Sequence, residues 1–389
     1  MTTFTRIEEN ATPSMNVDIS KRLSKINDNI YGGFTEHMGR CIYGGIYEPG
    51  NPLSDEHGYR TDVLSALREL DIPVIRYPGG NFVATYHWQD GVGPKENRPS
   101  RPELAWGAVE TNEFGTMEEA LAWVEYCNGT KDTYYANLRR KNGHPEPYNV
   151  KYWALGNEMW GPWQVGQMTA NEYAHKATQW AKALKLLDPS LCLILCGQEG
   201  LSTWDWTVLS QCIKFVDMHS IHIGTCGIRS ELLVKKEAKN LTPYPMPWTV
   251  NVISPLMTTK DGIMKQTTWW PLLLYSKYMR GYTIGVHVRG GAYDGETYPP
   301  WLQGTLAEGA SWLDISACIS ESGTVTLAVV NVSETKDFET DMQGIGSDIE
   351  VFTVTGDNVK VVNTEGNEKA EDGSSAVRRC PVRLAGHRC

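Results

Sequence analysis

Phenylalanine is scarce in this 389-residue chain, with 7 Phe against 14 Trp and 18 Tyr. Its aromatic surface therefore comes mostly with a polar tip, which needs a partner when buried and suits a sugar platform when exposed. Ordinary core packing must account for most of these rings. Positive charge is also in deficit. A net charge of −10 lacks the basic footprint of a nucleic-acid partner. Met1–Ser20 has no apolar h-region, so an intracellular location is expected. No apolar run is long enough to cross a bilayer, so no membrane association is expected. The 9 cysteines are scattered and odd in number, and no Cys/His spacing suits a metal. A reducing compartment and no cofactor are the expectation. Cys192 and Cys196, in the apolar run Leu191–Cys196, read as buried thiols.

Through the middle of the chain, short apolar strands alternate with amphipathic helices, the pattern of a parallel βα sheet or barrel. Strands are expected at Ile30–Phe34, Ile72–Tyr77, Val150–Leu155, Leu191–Cys196, Phe215–Ile223 and Val250–Ser254. Helices are expected at Thr61–Leu70, Met117–Cys127, Asn171–Leu187 and Trp269–Tyr278. In Asn171–Leu187 the residues Tyr173, Ala177, Trp180, Ala181, Leu184 and Leu187 recur at helical spacing. These strands fall short of the eight of a full (β/α)8 barrel. None is found between Tyr77 and Val150. The basic, proline-rich span from Ile223 to Val250 suits a helix in part but not another strand. Past Tyr282, Thr324–Val332 and Ile349–Thr355 alternate apolar and polar residues, as in an antiparallel β-sandwich. Arg6–Leu23 has the same texture. The expected α/β fold is an incomplete TIM barrel over 26–281 with an all-β sandwich over 282–366. Residues 1–25 join the sandwich, and 367–389 form a disordered tail.

The strand Val150–Leu155 stops at Gly156 and is followed at once by Asn157-Glu158. Active-site groups project from the carboxyl ends of barrel strands. A carboxylic acid there, oriented by a neighbouring amide, is what glycosidic cleavage requires of its general acid/base. Asn157 is placed to hold a sugar 2-hydroxyl and Glu158 to protonate the leaving oxygen. An Asn-Glu helix cap is the plainer reading; Trp160, Pro162 and Trp163 just beyond favour the functional one. Arg76-Tyr77-Pro78-Gly79-Gly80-Asn81 combines a planar guanidinium that orients carboxylates with glycines that let backbone approach a ligand. Its alternative is a structural ion pair and a tight turn. Glu36-His37 offers an acceptor for sugar hydroxyls, or a cap. His219 and His222, three apart on a strand, face opposite sides, which argues against a shared metal. One of them lines the pocket and the other is a core histidine. Gln266-Thr267-Thr268-Trp269-Trp270 offers an amide and a stacking surface, or simply core.

Together, Gly33–Arg40, Arg76–Asn81, Ala154–Trp160 and Asn251–Met257 closely resemble the fungal intracellular α-L-arabinofuranosidases of glycoside hydrolase family 51. The resemblance covers Met15–Gly366, with breaks. It implies a (β/α)8 barrel with a β-sandwich, a retaining mechanism, no metal and a capacity to form homo-oligomers. The implied substrate is an oligosaccharide of arabinan or arabinoxylan with terminal α-L-arabinofuranosyl units. It implies Glu158 as acid/base, and Glu36, Arg76, Asn81, Asn157 and Gln266 as residues lining the site. The family's nucleophile is a Glu in an Asp-Glu-Trp-Asn motif ending the seventh strand, and this chain has no such motif. Its place falls between His222 and Asn251. The family's Tyr after the sixth-strand His gives way here to Ile223-Gly224-Thr225. A second break, at Gly115-Thr116-Met117, removes the third strand. Glu231 and Glu237, the carboxylates of the altered span, stand among lysines and read as solvated surface. Another retaining barrel glycosidase, such as a xylanase, is one alternative. A non-catalytic sugar binder or degenerate paralogue is the other.

Overall fold

Leu191–Cys196 is the most apolar stretch of its region, and it lies at the core of a parallel sheet. In the computed structural model the strands Tyr152–Leu155, Cys192–Leu195 and Met218–Thr225 are parallel neighbours, with Tyr152 opposite Cys192 and Ile194 opposite Met218. The structure describes residues 2–100, 116–225, 228–235, 243–246, 250–251, 254–293, 309–333, 336–346, 348–354, 363 and 377–383. They fall into two units: Met1–Tyr31, Tyr43–Val74 and Thr249–Cys389 form one, and Gly32–Ile42 with Ile75–Trp248 form the other.

In the second unit, each parallel connection is a helical crossover. Ala170–Leu187 links the first two strands and Thr203–Cys212 the next two. Both helices start with a capping box, Thr169 with Glu172 and Ser202 with Asp205. Tyr173, Ala174, Ala177, Ala181 and Leu184 form the buried stripe of the longer helix. They pack with Leu155, Leu191, Leu193 and Leu195 in one core. Gly33–Phe34 pairs in parallel with Ile75–Arg76.

Several expectations change. Ile30 and Tyr31 belong to a 3-10 turn, Asp28–Tyr31, and the strand starts at Gly33. Asn27 drives that turn, its Oδ1 accepting the Asn29 N–H at 3.0 Å. The second strand shrinks to Ile75–Arg76, since Pro73 cannot donate to a ladder. Val250–Ser254 is not a strand at Val250, Asn251 or Ser254; Val252 and Ile253 lie outside the described residues. Asn251 has a φ of 54°. Its amide exchanges hydrogen bonds with Thr258, at 2.7 and 2.8 Å, and so bends the chain. The hairpin Leu256–Thr258 with Ile263–Lys265 follows. The span judged unsuited to a strand holds two, Ile228–Lys235 and Pro243–Met246, running antiparallel beside Met218–Thr225. The run Leu232-Leu233-Val234 sits opposite Ile221, Ser220 and His219 there, so strand pairing overrides the helical propensity of its lysines and glutamates. Helices Tyr134–Lys141 and Thr203–Cys212 were not expected.

The first unit holds a six-stranded sheet ordered Val325–Asn331, Leu313–Ile319, Tyr282–Gly290, Ser14–Lys25, Asp341–Gln343, with Thr2–Arg6 also against Tyr282–Gly290. Alternating Met15 and Val17, then Ile284, Val286 and Val288, then Leu313 and Ile315 form its core. Val63, Ala66 and Leu67 of the helix Thr61–Glu69 pack with Trp269 and Leu273. The stretch expected as a disordered tail contains a strand, Val377–Arg383, paired with Asp348–Val354. No helix among the described residues is long and apolar enough to cross a membrane.

Candidate active site

Glu158 stands three residues past the strand Tyr152–Leu155 in a left-handed conformation, φ 44°. A side chain other than glycine is strained there, and such strain collects at functional sites. Gly156 ahead of it has a φ of 103°. This sharp exit aims two consecutive polar side chains inward, and both Asn157 and Glu158 are buried.

A chain of amides fixes Asn157. Arg76 Nη2 donates to its Oδ1 at 2.8 Å, while its Nδ2 donates to Asn81 Oδ1 at 3.0 Å and Gln164 Oε1 at 3.3 Å. The guanidinium also lies over Phe34, 4.6 Å from the ring centroid. Arg76 thus orients an amide here, and its charge also acts on the Glu36 carboxylate. Gln164 escaped the sequence reading. Its only signal is its place six residues after Glu158 in the same turn-rich loop.

Glu158 is held at both oxygens. Trp163 Nε1 donates to Oε2 at 2.7 Å, and His222 Nδ1 stands 3.3 Å from Oε1. His222 Nε2 meets Ser220 Oγ at 3.3 Å. His219, three residues earlier, points away to Asp205 at 2.8 Å. So one histidine serves the site and the other the core, as the spacing indicated. Burial alone would raise the Asp205 carboxyl, but His219 and the Gln198 N–H pull it down to about 2.

Glu36 completes the cluster. Its carboxylate accepts the Phe82 N–H at 3.3 Å and lies against Gly80, where any Cβ would overlap it. Gly80, at φ 57°, therefore fits glycine on two counts. Burial pushes the Glu36 carboxyl up to about 7; the Phe82 N–H and Arg76 oppose this, and the nearby Glu158 adds to it. Glu36 then takes up a proton in the native state below about pH 7, while the unfolded chain does so only below about 4.5. Stability should therefore fall as pH rises from 4.5 to 7, by about 3 kcal/mol at most. Urea unfolding of Glu36→Gln at pH 5 and pH 8 should show a variant without this decline. Parallel profiles for variant and parent would refute it.

Gln266 belongs to the other unit. Its amide pairs with the backbone of Asn363, Nε2 to O at 3.1 Å and N to Oε1 at 3.2 Å. No group of three or more His, Cys, Asp or Glu among the described residues could hold a metal. A buried carboxylic acid at a strand end, fixed by an indole and an imidazole beside an amide network, is equipped for acid catalysis on an uncharged polyol.

Comparison with known proteins decides the family. The model of the α-L-arabinofuranosidase 1 domain matches residues 66–119 and 116–226, and that of the α-L-arabinofuranosidase C-terminal domain matches 247–375. A probable α-L-arabinofuranosidase C of Aspergillus fumigatus is 52% identical over 95% of this chain and 94% of its own length. The chain belongs to the α-L-arabinofuranosidases of glycoside hydrolase family 51. An intracellular exo-α-(1→5)-L-arabinofuranosidase of Halalkalibacterium halodurans is 31% identical over 94% of this chain and 95% of its own. The solved family 51 arabinofuranosidase of Thermotoga petrophila matches with a TM-score of 0.83 at 31% identity, over 97% of this chain and 98% of that one.

The alignment with the Aspergillus arabinofuranosidase runs over 478 positions, more than the 389 residues here, so it crosses internal stretches with no counterpart in this chain. The match to the arabinofuranosidase 1 domain restarts at residue 116, beside Gly115-Thr116-Met117, and stops at 226.

Proposed function

We propose that this arabinofuranosidase acts on terminal non-reducing α-L-arabinofuranosyl units of arabinan or arabinoxylan fragments, inside the cell, with Glu158 as general acid/base. The observation that carries the assignment is Glu158 at its strained strand exit, held by Trp163 and His222. Asn157, Asn81, Arg76 and Glu36 surround the terminal sugar, with Asn157 on its 2-hydroxyl. The family resemblance adds Gln266 to the substrate-binding residues; it belongs to the other unit, where its amide pairs with Asn363. A (β/α)8 barrel lacking its third and seventh strands is the frame, supported by the parallel strands and the fold match. The intracellular name of the Halalkalibacterium relative supports the location.

Retention requires a second carboxyl about 5–5.5 Å from the first, on rigid support. This chain has no Asp-Glu-Trp-Asn motif to supply it. It carries the acid/base and sugar-holding half of the site, and its turnover lies far below that of a complete enzyme. Glu231 is the carboxylate to test as a stand-in, because its backbone sits opposite His222 in the antiparallel register. The deciding assay compares phenyl α-L-arabinofuranoside, whose leaving group needs acid assistance, with phenyl β-xyloside, for the parent, Glu158→Gln and Glu231→Ala. Weak arabinofuranoside turnover, lost in Glu158→Gln and kept in Glu231→Ala, is expected. Fast turnover abolished by Glu231→Ala would disprove the half-site, and preference for the xyloside would disprove the substrate.

A further inference from the structure

We propose that Trp163 is a positioning residue for Glu158 and the wall against which the leaving-group sugar rests, a reading that builds on the arabinofuranosidase assignment. The indole donates to Glu158 Oε2 at 2.7 Å, and His222 stands at the other oxygen. A neighbour on each oxygen fixes the plane of the carboxyl. Proton delivery to one lone pair of a glycosidic oxygen depends on that plane, so alignment translates into rate.

Three features fix the indole in turn. Its ring meets Trp160 edge-on, centroids 5.3 Å apart at 83°. Trp160 is itself anchored, Nε1 donating to Gly197 O at 2.9 Å. Gly161 gives the ring room to fold back on its own loop, since a Cβ there would lie 2.6 Å from Trp163 Cε2 and 2.9 Å from its Nε1. Finally, Gly161 N donates to Glu158 O at 2.7 Å and Gln164 N to Gly161 O at 3.0 Å. Acid, glycine and indole thus belong to one closed turn.

Trp163 nevertheless remains 48% exposed, although its single polar atom is used inward. The general acid gives its proton to the oxygen shared with the leaving group. The leaving sugar therefore lies on the Glu158 side of the scissile bond. The exposed indole beside that carboxyl is an apolar face for the sugar's C–H groups.

Indole ¹⁵N–¹H spectra of the full chain test both parts. The Trp163 peak is the one lost in Trp163→Phe. It should shift with pH in a step that vanishes in Glu158→Gln and survives in His222→Asn, while Glu36→Gln controls for the other nearby carboxyl. Xylotriose, as leaving-group mimic, should move this peak in the parent. It should bind about tenfold more weakly to Trp163→Phe by calorimetry. In Gly161→Ala the peak should move to a new position and lose its pH step, with the other indole peaks reporting an intact fold. A Trp163 peak that keeps its pH step in Glu158→Gln overturns the positioning role. Xylotriose binding unchanged in Trp163→Phe overturns the sugar wall. If aryl arabinofuranosides are neither bound nor cleaved while the peak still tracks Glu158, the substrate assignment fails and the positioning role stands.

Discussion

Azide should raise turnover of 2,4-dinitrophenyl α-L-arabinofuranoside on the order of a hundredfold, and the product should be β-L-arabinofuranosyl azide. On the proposed half-site, which lacks the second carboxylate, the far face of the anomeric carbon is open to a small anion. Azide attacks that carbon as the bond to the phenolate breaks, so configuration inverts once and is not restored. A nucleophile held in place is worth an effective molarity of about 10⁵–10⁸ M. Molar azide therefore recovers a small part of the lost rate. Dinitrophenolate needs no proton to depart, so Glu158→Gln should keep this rescue. On an unactivated saccharide the same variant should abolish it, because acid assistance contributes about 10²–10⁴-fold there. Rate and product stereochemistry by NMR decide the matter. An azide effect absent from every substrate would mean that more than the nucleophile has been lost.

Arg139→Ala should destabilise the second unit by about 3–5 kcal/mol, from buried carbonyls left without a donor together with the cavity opened. Arg139 is fully buried on the helix Tyr134–Lys141. Its guanidinium donates to the carbonyls of Tyr126 at 2.8 Å, Gly129 at 2.8 Å, His144 at 3.1 Å and Pro145 at 3.3 Å. It ties the end of the helix Met117–Asn128 to the loop that leads to Tyr152. Alanine leaves those oxygens dry and opens a cavity. Lys keeps the charge but loses the fork and should recover less than half of the effect. Urea midpoints measure it; a shift below 1 kcal/mol would show that water replaces the guanidinium.

Legibility followed how local each signal was. The helix Ala170–Leu187 was readable almost to the residue, since its apolar stripe and its Asp188-Pro189 stop are local. Glu158 was readable because a strand, a glycine and an acid follow one another. The hold of Arg76 on Asn157, 81 residues apart, is set by the meeting of two strand ends. The role of Gln164 was hidden although it lies only seven residues from Asn157, because the irregular loop between them carries no periodic pattern. Helix Tyr134–Lys141 was missed because it is short and one of its two buried residues is Arg139, which a hydrophobic pattern counts as surface. Ile228–Lys235 was misread because its strand character comes from the neighbour it pairs with.

The strand Ser14–Lys25 lies between Tyr282–Gly290 and Asp341–Gln343. During synthesis it waits for partners made more than 250 residues later. Until then Met15 and Val17 have no sheet to cover them, and the strand offers both edges to other chains. Assembly of this sheet is therefore a late event, of high contact order and slow. Shielding of this strand until its partners arrive should raise the folding yield.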